Sequence, residues 1–326
     1  MRLKAILTGL TAVFVLGGGT YRMELPEFAR PARIPFPDEA PYSPQKAALG
    51  KMLFFDARLS GAQNLSCASC HNPSFGWETP VPHAIGARRT PLARHTPTVE
   101  NLAESHLFFW DGRADSLEEQ ALGPITHPDE MNSSLAEVVD RLAGISGYRT
   151  YFDIAFPDEG LAPASVLEAL ATYQRTLRSG WSPFDNWVEG DEDALSPAAK
   201  RGFGVFIGAG GCRDCHSGWA FTDHALHPSI VPSDTPGETA PSQTEEGMFK
   251  TPGLRNIALR APYMHNGSLA TLHDVVEHYR RLATPAFQDD PSGASLSDRE
   301  ASDLIAFLQS LTAYEPHVTA PALPVD

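Results

Sequence analysis

A mainly α-helical protein, built as two similar halves with long loops and little or no strand, is the fold this sequence predicts, and three observations predict it. Ser- or Thr-led capping patterns recur ahead of apolar residues at helical spacing. No segment reads convincingly as a strand. Each half follows one plan: a capped helix, a Cys-x-x-Cys-His stretch, a long loop and later helices.

In chain order, the region from Pro26 to Pro41 is proline-rich and reads as extended. Ser43-Pro44 is an N-cap with proline at the first helical position, opening a helix through Leu49 to about Phe54. Ser116 to Glu119 forms a capping box, and Pro124 is expected to stop that helix. Ser134 to Glu137 repeats the device ahead of Leu135, Val138, Val139 and Leu142, a buried face. Val166, Leu170, Tyr173 and Leu177 mark a further helix. The acidic stretch Asp185 to Asp193 suggests a boundary, dividing the chain into 25–187 and 188–326. Ser196-Pro197 then opens a helix carrying Phe203, Phe206 and Ile207. Residues 228–247, rich in Pro, Ser and Thr, read as loop. Thr271 caps a helix with Leu272, Val275, Val276 and Tyr279 on one face. Ser297 to Glu300 caps the last helix, whose face is Ala301, Leu304, Ile305, Leu308 and Leu311.

A chain of 326 residues is long enough for two domains. Arg2 and Lys4 precede the apolar run Ala5 to Leu16, which Gly17-Gly18-Gly19 ends. That run falls short of the roughly 20 residues of a bilayer span. Residues 1–24 therefore read first as a cleaved signal peptide and second as an N-terminal anchor, which puts the mature chain in an exported compartment, the periplasm in a bacterium. A net charge of −15 argues against nucleic acid and against an anionic membrane surface. It suits a basic protein partner, or solubility alone.

The four cysteines are Cys67 and Cys70 before His71, and Cys212 and Cys215 before His216. In an exported protein four cysteines would ordinarily suggest two disulfides. C-x-x-C-H instead reads as c-type haem attachment: two thiols bond the porphyrin edge and the adjacent histidine binds iron. Zinc is the rival, but the pairs are far apart and each carries its own histidine. Two covalent haems use all four thiols. The sixth position of each iron then decides between electron carriage and peroxide chemistry.

Longer stretches surround these motifs. Phe55-Asp56-x-Arg58-Leu59-Ser60 leads into the first. Phe109-Trp110-Asp111-Gly112-Arg113, Glu119-Gln120-Ala121, Gly123-Pro124-Ile125 and Glu130-Met131 follow. Phe249-Lys250-Thr251-Pro252-x-Leu254-Arg255-Asn256 and Ala261-Pro262-Tyr263-Met264-His265-Asn266-Gly267-Ser268 come later. Together they resemble the bacterial di-haem cytochrome c peroxidase superfamily, and within it the MauG-like branch, across roughly residues 40 to 315.

The resemblance implies two tandem cytochrome c-like haem domains and assigns roles. His71 becomes the axial ligand of the peroxide-reacting haem, and Gln120, Pro124 and Glu130 form its distal side. Glu130 would move a proton between the peroxide oxygens, with a pKa raised by burial. From the residues alone, Gln120 reads as helix surface and Glu130 as an ordinary exposed acid. Peroxidases of the family close this haem with a histidine in an Ile-Gly-His loop. The matching stretch is Ile85-Gly86-Ala87, so the site is expected open, with His83 nearby as an alternative ligand.

His216 becomes the axial ligand of the second haem. Its other side is a methionine in electron-accepting members; the matching position, fourteen after His265, is Tyr279. A phenolate is hard and anionic and favours higher iron charge, whereas a thioether favours Fe(II). His278 is a competing ligand about 100° round the helix, and a plain core tyrosine is the simplest alternative. Trp110 matches a tryptophan between the haems, and His265 a hydrogen-bonding neighbour of the second. A calcium ion between the haems would use the carbonyls of Arg260 and Pro262, with His95 where the family has Asn. A surface tryptophan of the branch is replaced by Gly210; Trp219 is one substitute.

The expectation is an enzyme that uses hydrogen peroxide to oxidise a periplasmic partner protein, at tryptophan, with oxidising equivalents shared by both haems. One alternative is a peroxidase that reduces hydrogen peroxide with electrons from a small redox protein. Another is a di-haem electron carrier without catalysis.

Overall fold

The computed structural model describes residues 25–228, 231, 247–282, 294–313 and 318–325. The expected signal segment and Pro232, Pro236 and Pro241 of the expected loop lie outside the described residues. The fold is mainly helical. Its helices are α1 (Pro44–Phe55), α2 (Cys67–Cys70), α3 (Leu117–Thr126), α4 (Leu135–Ala143), α5 (Ser146–Ala155), α6 (Pro163–Thr176), α7 (Pro183–Val188), α8 (Pro197–Ile207), α9 (Leu272–Leu282) and α10 (Asp298–Ser310). Two three-residue strands, β1 (Leu226–Pro228) and β2 (Met248–Lys250), pair antiparallel, with His227 opposite Phe249. Among the described residues no helix is long and apolar enough to cross a membrane.

Local chemistry sets most helix starts. Ser43 Oγ accepts from Lys46 N, with Pro44 first in α1. Both arms of the capping box form at Ser134/Glu137 and Ser297/Glu300. Ser116 takes Glu119 N, but Glu119 Oε2 reaches Asp115 N, 3.0 Å, instead of closing the box. Pro124 does not stop α3: the helix runs two residues past it, to Thr126. The missing N–H removes one helical bond, and the loop compensates by satisfying the last carbonyls, with Met131 N donating to Pro124 O at 3.0 Å and Ser133 N to Ile125 O at 2.9 Å. The acidic stretch from Asp185 begins inside α7, where Asp185 is buried and caps the helix with Ser182.

Two helix crossings organise two apolar cores. α1 crosses α6, and the first core gathers Leu49, Leu53, Phe54, Tyr148, Phe152 and Leu170. α8 crosses α10, and the second core is rich in phenylalanine: Phe184, Phe203, Phe206, Phe221 and Phe307. A glycine sits at each crossing. A Cβ on Gly50 would lie 1.9 Å from Ala169 O and 2.8 Å from Tyr173 Cβ; one on Gly202 would lie 1.8 Å from Asp303 O and 2.9 Å from Phe307 Cβ. In both cases the facing helix offers a carbonyl and, one turn on, an aromatic side chain. Only hydrogen in place of a side chain lets the backbones approach so closely. Each of these glycine helices leads toward a Cys-x-x-Cys-His stretch. The N-terminal segment joins the second core, with the Phe28 ring 5.4 Å from Phe203 and 5.2 Å from Phe221.

Candidate di-haem site

α2 carries Cys67 and Cys70, and its cap is His71. Nδ1 of His71 faces Trp77 O at 3.2 Å. A carbonyl only accepts, so Nδ1 holds the proton and Nε2 keeps its lone pair for a metal. In the second motif a 3-10 turn, Cys212–Asp214, follows Gly211 in the left-handed region (φ 65). His216 Nδ1 faces Phe221 O at 3.0 Å, repeating the arrangement. Burial pulls His71 down to about 4 and lowers His216 too, so both rings rest in the neutral, ligating form.

All four cysteines are free, with no disulfide between them. Burial pushes the Cys67 thiol up to about 12 and those of Cys70 and Cys212 up to about 11. Zinc requires thiolates, which these apolar settings disfavour. Cys215 does lie near Asp223 and His227, but His227 Nε2 is held by Asp223 Oδ2 at 2.7 Å.

A cavity opens beside His71, lined by residues of both halves that include Trp110, Gln120, Lys250, Arg255 and Arg260. Its polar wall sets Lys250, Arg255 and Arg260 against Glu78 and Glu100 and is incompletely satisfied. Arg255 Nη2, Arg260 Nε and His224 Nδ1 are buried without a hydrogen-bond partner. Burial, with Arg260 beside it, brings Lys250 down to about 8, and burial brings Arg255 down to about 10 despite its 2.8 Å ion pair with Asp185. The two orphaned guanidinium nitrogens, beside the neutral imidazole of His224, fit a porphyrin edge with its carboxylates. The residues present therefore fit haem. The sequence reading gave Lys250, Arg255 and His224 no role. The available signal was the basic content of the 250–260 stretch in an acidic chain.

Gln120 projects from α3 into this cavity, and Pro124 sits one turn later. Glu130 is half-buried. Burial raises its pKa, with His127 and Arg113 pulling it back, and its charge acts on both Cys67 and Cys70, so it faces the first motif. The Ile85-Gly86-Ala87 loop lies on it: Ala87 N donates to Asp129 O at 3.0 Å and to Glu130 O at 2.8 Å. A Cβ at Gly86 would meet Asp129 O at 1.8 Å. The residue beside Glu130 is thus a methyl group. His83 is half-buried in the same loop, its Nδ1 without a partner, next to Pro82, which packs on Gly267.

Trp110 joins the halves. Its Nε1 donates to His95 O at 2.7 Å, and its carbonyl accepts from Lys250 N in β2 at 2.7 Å. Its ring meets His265 edge-on (6.4 Å, 73°), and His265 stacks on Phe249 (4.1 Å, 13°). Tyr279 in α9 is half-buried against the second core and does not line the cavity; His278 lies edge-on beside it at 6.0 Å.

The expected calcium position holds a different arrangement. His95 Nε2 lies 3.1 Å from Glu78 Oε2, and its Nδ1 3.0 Å from Pro82 O. Arg260 Nη1 lies 3.3 Å from Glu78 Oε1. Calcium takes six to eight oxygen ligands. Here an imidazole and a guanidinium already engage the carboxylate, so these residues do not fit the ion, whatever the carbonyls of Arg260 and Pro262 offer.

Comparison with known proteins agrees with this chemistry. Residues 44–193 match the family described as di-haem cytochrome c peroxidase. Methylamine utilization protein MauG of Methylorubrum extorquens is 46% identical over 305 residues, 91% of this chain and 86% of its own length. Cytochrome c551 peroxidase of Nitrosomonas europaea is 36% identical over 293 residues, 87% of this chain and 85% of its own. The crystal structure of a MauG-like protein associated with microbial copper homeostasis superposes with a TM-score of 0.75 at 30% identity, covering 90% of this chain and 95% of that one. Identity and coverage at this level mean that the chain belongs to the di-haem cytochrome c peroxidase family, in its MauG-like branch, and is a haem-dependent oxidoreductase that works with peroxide.

Proposed function

We propose that the chain is a periplasmic enzyme of two tandem cytochrome c-like units, 25–187 and 188–326, that oxidises a partner protein, at tryptophan, with hydrogen peroxide. The matching glycine crossings of α1/α6 and α8/α10 support the tandem units. When attached, the haems supply the iron that peroxide oxidises and that holds the equivalents until a partner yields electrons. His71 and His216 present Nε2 to the two irons. Gln120 and Pro124 shape the distal side of the first. The Glu130 carboxyl, raised by burial, can accept a proton from one peroxide oxygen and return it to the other. Trp110, hydrogen-bonded to both halves, stands between the units, with His265 against its edge. Tyr279 offers a phenolic oxygen to the second haem.

The observation that carries this reading is Ala87, whose backbone is fixed on Glu130 and whose methyl side chain has no atom that can bind a metal. An open first site lets peroxide react with the fully oxidised protein. The test is peroxide added to the diferric holoprotein without reductant, followed by optical and EPR spectra. Loss of both ferric signals into one long-lived state is expected. No reaction until one haem is reduced would overturn it and favour peroxide removal with electrons from a small redox protein, the reading that the Nitrosomonas relative represents.

A further inference from the structure

Three buried charges fill the expected calcium position: His95 is 2% exposed, Glu78 8% and Arg260 2%. Glu78 and His95 belong to the first half and Arg260 to the second. Every group that meets the Glu78 carboxylate is a donor. Thr98 N donates to Oε1 at 3.1 Å, Arg260 Nη1 lies 3.3 Å from Oε1, and His95 Nε2 lies 3.1 Å from Oε2. A protonated carboxyl would need an acceptor among these partners and would find none, so Glu78 is ionised.

Both ring nitrogens of His95 face acceptors. Nε2 meets that carboxylate, and Nδ1 meets Pro82 O at 3.0 Å and Val81 O at 3.2 Å. Carbonyl and carboxylate oxygens only accept, so each nitrogen carries a proton and His95 is an imidazolium. A neutral ring would set a lone pair against an oxygen, away from water that could relieve the clash. An ordinary buried His–Glu pair needs one such contact. A cation ringed by a carboxylate oxygen and two carbonyls is instead the environment that calcium seeks. The backbone of the same residue lies on the seam of the molecule. His95 N donates to His265 O at 2.8 Å, and His95 O accepts from Trp110 Nε1 at 2.7 Å.

We propose that the His95 imidazolium, with the Arg260 guanidinium, takes the place of the calcium ion, so that the seam between the halves holds without a metal. The ring neutralises Glu78, gathers the Val81 and Pro82 carbonyls and thereby fixes the backbone that receives Trp110 and meets His265. Like charge also keeps calcium out, because a divalent ion would have to enter beside two buried cations. His95 is a positioning residue here. The inference goes beyond the function proposed above and stands whether or not that reading does.

The experiment uses the holoprotein without peroxide. It is dialysed against calcium chloride and desalted, and its calcium is counted by inductively coupled plasma mass spectrometry. Ferric optical and EPR spectra and thermal melts are recorded in calcium and in EGTA. The parent should retain essentially no calcium, with the same spectra and melting temperature in both media. His95→Asn restores the side chain expected at that position and frees Glu78 Oε2 and the two carbonyls. It should bind about one calcium per chain. In EGTA it should melt several degrees below the parent, and calcium should recover most of that loss. A ring that only packs would give a loss that calcium does not recover. Near-stoichiometric calcium in the parent, or an EGTA effect on its spectra, overturns the proposal. So does a His95→Asn protein that takes up no calcium, whether weakened or unchanged. Should His95→Asn fail to mature, the calcium content of the parent still decides: a full site refutes the substitution and an empty one upholds it. None of these readouts requires turnover, so failure of the peroxide chemistry would be seen separately.

Discussion

Gly202→Ala in α8 is expected to destabilise the protein, although alanine is the better helix former. The new Cβ would sit 1.8 Å from Asp303 O, 2.5 Å from Asp303 C and 2.9 Å from Phe307 Cβ in α10. Two of these are backbone atoms and cannot rotate away. α10 must therefore retreat until the 1.8 Å approach becomes at least 3.0 Å. A retreat of that size loosens Phe203, Phe206, Leu304 and Phe307 together, since a gap of 0.5–1 Å already forfeits about a quarter to a half of each dispersion contact. Overpacking costs about 1–3 kcal/mol, sometimes more, against a helix-propensity gain of about 1 kcal/mol. With an unyielding backbone the net loss is about 2 kcal/mol, or roughly 4–8 °C in melting temperature. Gly204→Ala in the same helix is the internal control, because its Cβ would meet nothing within 4 Å. It should gain up to about 1 kcal/mol. Thermal melts of both holoproteins by far-ultraviolet circular dichroism decide the matter. If Gly202→Ala melts at or above the parent, or both variants move in the same direction, the close crossing is not what holds α8 to α10.

Three further outcomes follow from particular contacts. Burial works against the charge of Asp56, but hydrogen bonds from Arg58 and Tyr148 outweigh it and hold its carboxyl below the usual range. Its stabilisation is therefore present above the ordinary carboxyl pKa of about 3.9 and lost as pH falls through the lower folded value. Asp56→Asn should cost about 2 kcal/mol at neutral pH and flatten the acid limb of a stability curve from denaturant titrations; two parallel limbs would refute this. Ala87→His should place an imidazole beside Glu130, replace the high-spin ferric EPR signal by a low-spin one, and make peroxide reaction depend on prior reduction. An unchanged high-spin signal would mean that the loop does not face the iron. Tyr279→Met should abolish the long-lived oxidised state with both haems still attached, and raise the reduction potential of the second haem, measured by optical redox titration. A variant indistinguishable from the parent would remove Tyr279 from the mechanism.

What was legible in the sequence was local. Ser43, Ser134, Ser196 and Ser297 announce helices because cap and partner lie within four residues. The attachment motifs are equally local, and histidine orientation follows from carbonyls five or six residues on, at Phe221 and Trp77. Pro124 misled because the loop after α3 turns back to satisfy its last carbonyls, a compensation that sequence does not display. The strand pair escaped notice because three residues are too few to alternate. The glycine crossings and the engagement of Glu78 by His95 and Arg260 join residues far apart in the chain. Such pairings depend on packing, and one sequence gives no periodicity that signals them.

The polar wall of the cavity bears on how the protein is made. Arg255 and Arg260 have buried counter-charges in Asp185 and Glu78, but Arg255 Nη2 and Arg260 Nε stay without partners away from water, a cost that porphyrin carboxylates would offset. Prosthetic-group ligation is then the closing step of maturation rather than a later addition to a finished chain. A chain that never met its cofactor would keep a loosened interior, open to proteolysis.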